Sequence, residues 1–587
     1  MAFFSPFKSV LRTNFVPSQS EVEALKHTLE APSAGSRALA DRLAFLMDRL
    51  VEKQRTRDAL AQSIDAHRNL LTPFRTLPDD VLTEIFLWCL PTVHEAVMDE
   101  TEAPLLLTTV CRRWRIVAHQ MPRLWASLHI AMPHTPRFRG RVASERMQEI
   151  QGVFQDSVRR HQRAIILWLD RAKVCPLSIS IHDPNASWTA DPPAPSYFVI
   201  LLPFMARIRR LEVDINQQLA SDYLAGLPSI FFPNLRALVL RFNRRLRSHL
   251  VPIWNQSGLL NAPNLQCLSV LLFPLCFPDI RVNWSSLTHI VATGSSVRKL
   301  SIGDALKIFV GCPKLQYCDI DISSSLNAPA VYLPFSLPHL HTLSIISGST
   351  NLAELFQHAD IPSLRNLLFF PRTYPAQSQR SPLLTILART GMNLERLTTN
   401  IQFLTLSDLL ECFDLVPALT HFSNGHGNVS YSPSQRRMRY SLPVAPRMVS
   451  ALLGILTPSR DERVYLPKLQ VVKFDMNGLQ MQVYDKEIMG FVRGRMEFAS
   501  ETHAEVGAQV VPLTRVSFMG IGEKELDLEK EFAGYVADGL VLELSHLGGP
   551  FDAWKVNVDR GCHYAMFYPP PYYGQTQTGI EQVAEYL

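Results

Sequence analysis

His421 and His426 lie in the stretch HFSNGHGNVS, with asparagine and glycine around them. Two imidazoles in a polar loop could move a proton or hold a metal ion. The other reading is a polar loop inserted between regular elements. Cys312 and Cys318 are too irregularly placed for a metal pair, and the chain contains no CxxC. GxxxxGK[ST], GxGxxG, GxSxG and HExxH are all missing. No catalytic group, cofactor site or metal site is expected. An enzyme with an unrecognised site is the last of three readings.

The most distinctive residues are apolar. LPDDVLTEIFLWCL (77–90) and VCRRWRIVAHQMPRLW (110–125) carry large apolar side chains at helical spacing. Catalysis needs convergent polar groups, whereas apolar anchors suit docking onto a protein. Bulk properties agree. Hydrophobic residues are 47% and charged ones 19% of 587 residues, which excludes wholesale disorder and allows several domains or one repeat array. A net charge of +5 is too slight to imply nucleic acid or a membrane surface. Nine scattered cysteines fit a reducing compartment. MAFFSPFKSVLRTNF lacks the apolar core of a signal peptide, and no run of about 18 apolar residues predicts a span. A cytoplasmic or nuclear protein is expected.

Elements come next. Residues 1–36 read as a disordered tail. In residues 37–72, Leu39, Leu43, Leu46, Leu50, Leu60, Ile64 and Leu71 keep a heptad seam. Lys53, Arg57 and His67 interrupt it, and Pro73 ends the helix. At 1.5 Å per residue this helix is about 50 Å long. It forms either a weak homodimer or an amphipathic helix packed on its own domain.

Leu77-Pro78-x-Asp80-Val81-Leu82-x-x-Ile85-Phe86, then Val110-Cys111-Arg112-x-Trp114, then Pro122-x-Leu124-Trp125, together resemble an F-box. The resemblance covers residues 73–130. Asp80 stands where the family usually has Glu, and residues 91–104 lengthen the gap between the halves by roughly ten residues, an insertion that costs little in closure entropy but could alter the docking face. The resemblance implies a small all-α domain that docks on the Skp adaptor of an SCF (cullin-RING) ubiquitin ligase. Leu77, Pro78, Val81, Leu82, Ile85, Phe86, Val110, Trp114 and Leu124 would then be its adaptor-facing or core residues. The remaining chain would hold an unidentified protein substrate.

Residues 131–560 carry a recurring unit, Pro-x-Leu-x-x-apolar-x-apolar. Copies are FPNLRALVL, APNLQCLSV, CPKLQYCDI, LPHLHTLSI, IPSLRNLLF and GMNLERLTT, with later ones at LPKLQVVKF and VPLTRVSF. Their leucines, from Leu235 to Leu394, are spaced by 30, 50, 25, 24 and 30 residues, with a weak copy at Leu287 inside the longest gap. RIRRLEV is an earlier, degraded copy. Helical stretches precede several copies: ALKIFVGC, LAELFQHAD, LLTILART and LSDLLECFDLV. The period falls in the leucine-rich-repeat range and predicts an α/β solenoid of stacked helix–strand units. Irregular repeats of this kind resemble those behind many F-boxes. Arg236, Ala237, Val239, Gln266, Gln316, Asp319, Arg365 and Gln470 are the expected solvent-facing strand positions, and loops 371–381 and 423–447 are further candidate substrate contacts. In the tail 561–587, Pro569-Pro570-Pro571-Tyr572 fits the PPxY pattern gripped by WW domains. It reads equally as a strap over the last repeat. The expected function is a substrate receptor of an SCF ligase. The alternative is a non-catalytic leucine-rich scaffold with no ubiquitin role.

Overall fold

The computed structural model describes residues 7–9, 11, 13, 15–70, 77–133, 144–183, 194–215, 218–242, 254–271, 280–293, 300–324, 334–347, 352–371, 381–425, 448–459, 463–476, 483–500, 510–522 and 524–546. His426, Pro73 and the Pro569–Tyr572 motif lie outside them, as do most of loops 371–381 and 423–447. The chain divides into two compact units, Met1–Ile85 and Phe86–Leu587.

The first unit is mainly one helix, α1 (Gln19–Leu70), and α2 (Asp79–Trp88) begins within it. α1 starts well before residue 37, which corrects the expected tail. The Ser18 hydroxyl and backbone N–H both donate to the Glu21 carboxylate, at 2.7 and 2.8 Å. That is the N-terminal signature of a helix, and the Ser18 bonds hold the Glu21 carboxyl below its usual range. The signature wins over Pro32, which the helix carries in its interior. Leu39, Leu43, Leu46, Leu50, Leu60 and Ile64 are all exposed.

Among the described residues of the second unit, fourteen strands follow one another in one parallel sheet. They are β1 (Ser127–Ala131), β2 (Leu177–His182), β3 (Ile208–Ile215), β4 (Ala237–Phe242), β5 (Cys267–Leu271), β6 (His289–Thr293), β7 (Tyr317–Ser324), β8 (Thr342–Ser347), β9 (Asn366–Pro371), β10 (Arg396–Thr399), β11 (His421–Asn424), β12 (Val471–Asp475), β13 (Arg515–Ile521) and β14 (Val541–His546). A fifteenth, Leu300–Ser301, pairs with β7 beside this path. The helices are α3 (Leu105–Val110), α4 (Arg112–Gln120), α5 (Ser144–Arg171), α6 (Ala194–Leu201), α7 (Gln218–Gly226), α8 (Ile302–Gly311), α9 (Leu352–Gln357), α10 (Pro382–Thr390), α11 (Leu406–Leu415), α12 (Met448–Leu456) and α13 (Asp485–Ser500), followed by two short turns of helix.

One turn recurs before the strands and explains the prolines. The Leu235 N–H donates to the Phe232 carbonyl at 3.4 Å, and the same reach closes Ala262–Leu265 (3.3 Å), Cys312–Leu315 (3.1 Å), Leu337–Leu340 (3.2 Å), Val416–Leu419 (3.1 Å) and Leu466–Leu469 (3.1 Å). Proline is the second residue of each turn. There its fixed φ already matches the turn and its missing N–H goes unused. The third residue reaches back to the preceding copy: Asn264 donates to the Pro233 carbonyl (2.7 Å) and Ser363 to the Pro338 carbonyl (2.6 Å). Backbone bonds then join the copies through the residue after each turn: Gln266 N–H to Arg236 O (2.9 Å), Thr288 to Gln266 (2.8 Å), Gln316 to Thr288 (2.7 Å), His341 to Gln316 (2.9 Å) and Arg365 to His341 (3.0 Å).

The register sets one apolar residue of each strand beside the next: Leu238, Leu268, Ile290, Cys318, Leu343, Leu367, Leu397, Phe422, Val472 and Val516. All are buried. Each buried Leu contributes about 1.5–3 kcal/mol of transfer free energy, and none can be buried by its own copy alone. α8 and α11 open with capping boxes, Ser301 with Asp304 and Thr405 with Asp408.

Three boundaries differ from expectation. The sheet begins at Ser127, inside the stretch expected to be all-α, and the long α5 follows it. A further copy, VPALTHFSN, forms β11. Ala237, Val239 and Asp319 are buried rather than solvent-facing, because flanking strands about 4.8 Å away enclose these small or short side chains. Arg236, Gln266, Gln316 and Arg365, one residue before their strands, are exposed as expected, and Gln470 is half-buried. Among the described residues no helix is long and apolar enough to cross a membrane.

Candidate functional site

Pro78 precedes α2 and its carbonyl accepts from the Leu82 N–H at 3.1 Å. Asp79 and Asp80 fill the first turn, where the helix end attracts negative charge. Leu82 and Phe86, one turn apart, are wholly buried, and so is Leu124. Each of the three therefore takes the core role among the two expected, adaptor-facing or core. Leu77 and Ile85 are half-buried, and Pro78 and Val81 are exposed. α3 ends where Cys111 adopts extended backbone, and the Cys111 sulfur accepts from the Trp114 N–H at 3.4 Å to start α4. Val110 is 55% exposed. Trp114 is half-buried with its ring 4.9 Å from that of Phe86.

Exposed residues that the sequence reading passed over are Trp88 (82% exposed), Leu106 and Ile116. A signal was present. Val81, Ile85 and Trp88 fall at i, i+4 and i+7, a stripe beside the buried Leu82–Phe86 one. Leu106 and Val110 are likewise one turn apart on α3. Two adjacent apolar stripes on a short helix exceed what one core contact can bury.

Trp125 joins this region to the sheet. Its indole N–H donates to the Ala118 carbonyl at 2.9 Å, its ring meets Trp168 edge-on at 4.9 Å, and the Arg171 guanidinium lies 4.7 Å over its face. His119 stacks on the same ring at 5.5 Å. Burial, then the Arg171 and Arg115 charges, hold its pKa below the usual range.

Residues 91–104 form a strap. The His129 N–H donates to the Ala96 carbonyl at 2.7 Å, and the Ala96 N–H donates to the Ser127 hydroxyl at 3.0 Å. The Glu95 carboxylate accepts from the hydroxyls of Ser127 and Ser178, and lies 3.7 Å from the Arg210 guanidinium. The strap thus covers part of the free edge of β1 by taking up the His129 N–H, an edge that would otherwise invite pairing with another strand.

The face of the sheet opposite the aligned leucines is polar and changes along its length. Over β2–β4 its charges neutralise one another: Arg241 bonds Glu212 and Asp214, His182 bonds Asp214 at 2.5 Å, and Arg210 lies 3.7 Å from Glu212. Burial, reinforced by His182, pushes the neighbouring His129 down to about 3. In the middle, Ser269, Val291, Asp319 and Ser344 stand side by side. Asp319 is 5% exposed, and burial pushes its carboxyl up to about 6 against a bond from Ser344. Over β10–β13 the face is open. Arg396 and Lys473 are exposed, with His421 half-buried on the strand between them. Among the described residues no group of three or more His, Cys, Asp or Glu could hold a metal ion.

No protein-family model matches the chain, and comparison with curated proteins finds no relative.

Proposed function

We propose that the chain is the substrate-recognition subunit of an SCF (cullin-RING) ubiquitin ligase, its F-box docking on the Skp adaptor and its leucine-rich repeats holding the substrate protein. One observation carries this reading. The motif residues divide into a buried set (Leu82, Phe86 and Leu124) and an exposed apolar set (Val81 and Val110, joined by Trp88, Leu106 and Ile116). A domain that only packed on its own chain would have no use for the second set. The recurring turn, the spacing of the copies and the parallel register support leucine-rich repeats. In this role the chain makes and breaks no bonds and needs no cofactor. It raises the local concentration of a substrate and orients it, in the cytoplasm or nucleus where such ligases act.

The strap favours a second reading. Its bonds to Ser127, His129 and Ser178 make residues 91–125 a cap on the sheet, as a scaffold with no ubiquitin role would need. A pull-down of the full chain with purified Skp adaptor separates the two. The receptor reading expects binding by wild type and its loss in Leu77→Ala/Pro78→Ala, with circular dichroism unchanged. No binding by wild type at micromolar concentration leaves the scaffold.

A further inference from the structure

We infer that the open face of β10–β13 binds an acidic peptide segment of the partner protein, held between Arg396 and Lys473. The inference deepens the receptor reading, and rests on it only for calling that segment part of a substrate.

Over β2–β4 the charges on this face are already matched, and in the middle Asp319 is buried. Glu95, Glu212 and Asp214 are matched by Arg210, Arg241 and His182 over β2–β4. Nearer the end, Arg365 pairs with Glu395, and Arg515 lies 4.0 Å from Glu543. Arg396 and Lys473 are exposed and make no ion pair among the described residues. Both lie on the same face. Arg396 is in register with His421, and Thr398 with Ser423. Ser423 is in register with Lys473, and Lys473 with Ser517. The two cations therefore flank β11 diagonally, two strand spacings across and two residues along, with their Cα atoms roughly 12 Å apart. Both cations lower the pKa of His421 after burial does, so their fields converge on the strand between them. Thr398 and Ser423 add half-buried hydroxyls to the gap.

The occupant follows from the charge pattern. Two carboxylates two residues apart in an extended peptide lie roughly 7 Å from each other. Two long flexible cations can span that distance, and Thr398 and Ser423 can bond the peptide between them. A nucleic acid suits the face poorly. It carries a charge about every 1.7 Å of helix axis, far denser than two cations set roughly 12 Å apart can match.

Fluorescence anisotropy on the full chain tests this. The probes are a labelled short peptide of alternating Glu and Ser, its Gln–Ser counterpart and a labelled single-stranded oligonucleotide. The Glu–Ser peptide should bind at least about tenfold more tightly than either other probe, and Arg396→Glu/Lys473→Glu should weaken it by at least about tenfold. The milder Arg396→Gln/Lys473→Gln serves if the reversal lowers the melting temperature. Equal binding of the Gln–Ser peptide, tighter binding of the oligonucleotide, or an unchanged affinity in a folded variant overturns the inference. Absence of Glu–Ser binding overturns it too. Adaptor binding, measured on the same samples, fails independently if the receptor reading is wrong.

Discussion

Asp319 shows how a single side chain can set a pH dependence. Its carboxyl is buried and pushed up to about 6, with Ser344 as its bonding partner. Folding therefore raises this group's affinity for its proton. Its contribution to stability is complete below the usual carboxylate pKa and is lost as the pH rises through about 6. Asp319→Asn should melt higher than wild type at pH 7.5, and its advantage should shrink by about 1 kcal/mol on going to pH 5. Thermal melts at the two pH values check this, and an advantage independent of pH would contradict the account. Sequence could not place Asp319. The strand period put it on the face away from the leucines, and that face was read as solvated. Only the neighbouring strands, distant in sequence, reveal that it is enclosed.

Gly391 illustrates the closeness of neighbouring elements. A Cβ there would lie 2.3 Å from the Leu415 carbonyl oxygen at the end of α11. Gly391→Ala should cost about 1–3 kcal/mol, because backbone must shift. Gly454, within α12, has nothing within 4 Å of such a Cβ, and Gly454→Ala should be neutral or stabilising by up to about 1 kcal/mol. Comparable denaturation midpoints for the two variants would refute the packing argument. α1 supports a different prediction. Its exposed seam is broken by Lys53 and Arg57, so self-association of the full chain should be weak. Lys53→Leu/Arg57→Leu should make the seam continuous, and sedimentation velocity should then show a dimer. A variant that stays monomeric would mean the helix serves another purpose. Most elements were legible because their signals are local. Pro-x-Leu turns, capping residues and alternating apolar positions act within a few residues. β1 follows a Pro122-x-Leu124 turn, closed by the Leu124 N–H on the Met121 carbonyl at 3.2 Å, that reads in sequence as part of the F-box resemblance; β2 lacks the turn, and the start of α1 is hidden behind Pro32. VPALTHFSN, inside the gap before Leu469, keeps Pro417, Leu419 and Phe422 but has Asn424 in the last apolar place, which weakens its signal.

At the scale of the whole molecule, the two ends of the second unit differ in what they expose. Residues 86–125 combine a buried anchor, Trp125, with exposed Trp88 and Val110. The sheet's far strands offer Arg396 and Lys473, which make no ion pair among the described residues. The candidate docking residues were legible as a group, since their apolar types and helical spacing show in the sequence. Which of them face outward was not, because Leu82 and Val81 are equally apolar neighbours and only packing separates them. The most direct test of the receptor reading is the affinity of purified Skp adaptor for the full chain by biolayer interferometry, comparing wild type with Trp88→Ala/Val110→Glu. Both positions are exposed, so the variant should melt like wild type. The account predicts nanomolar to low-micromolar binding by wild type and at least about a tenfold loss in the variant. Equal affinity of the two proteins, or no binding by wild type, would contradict it.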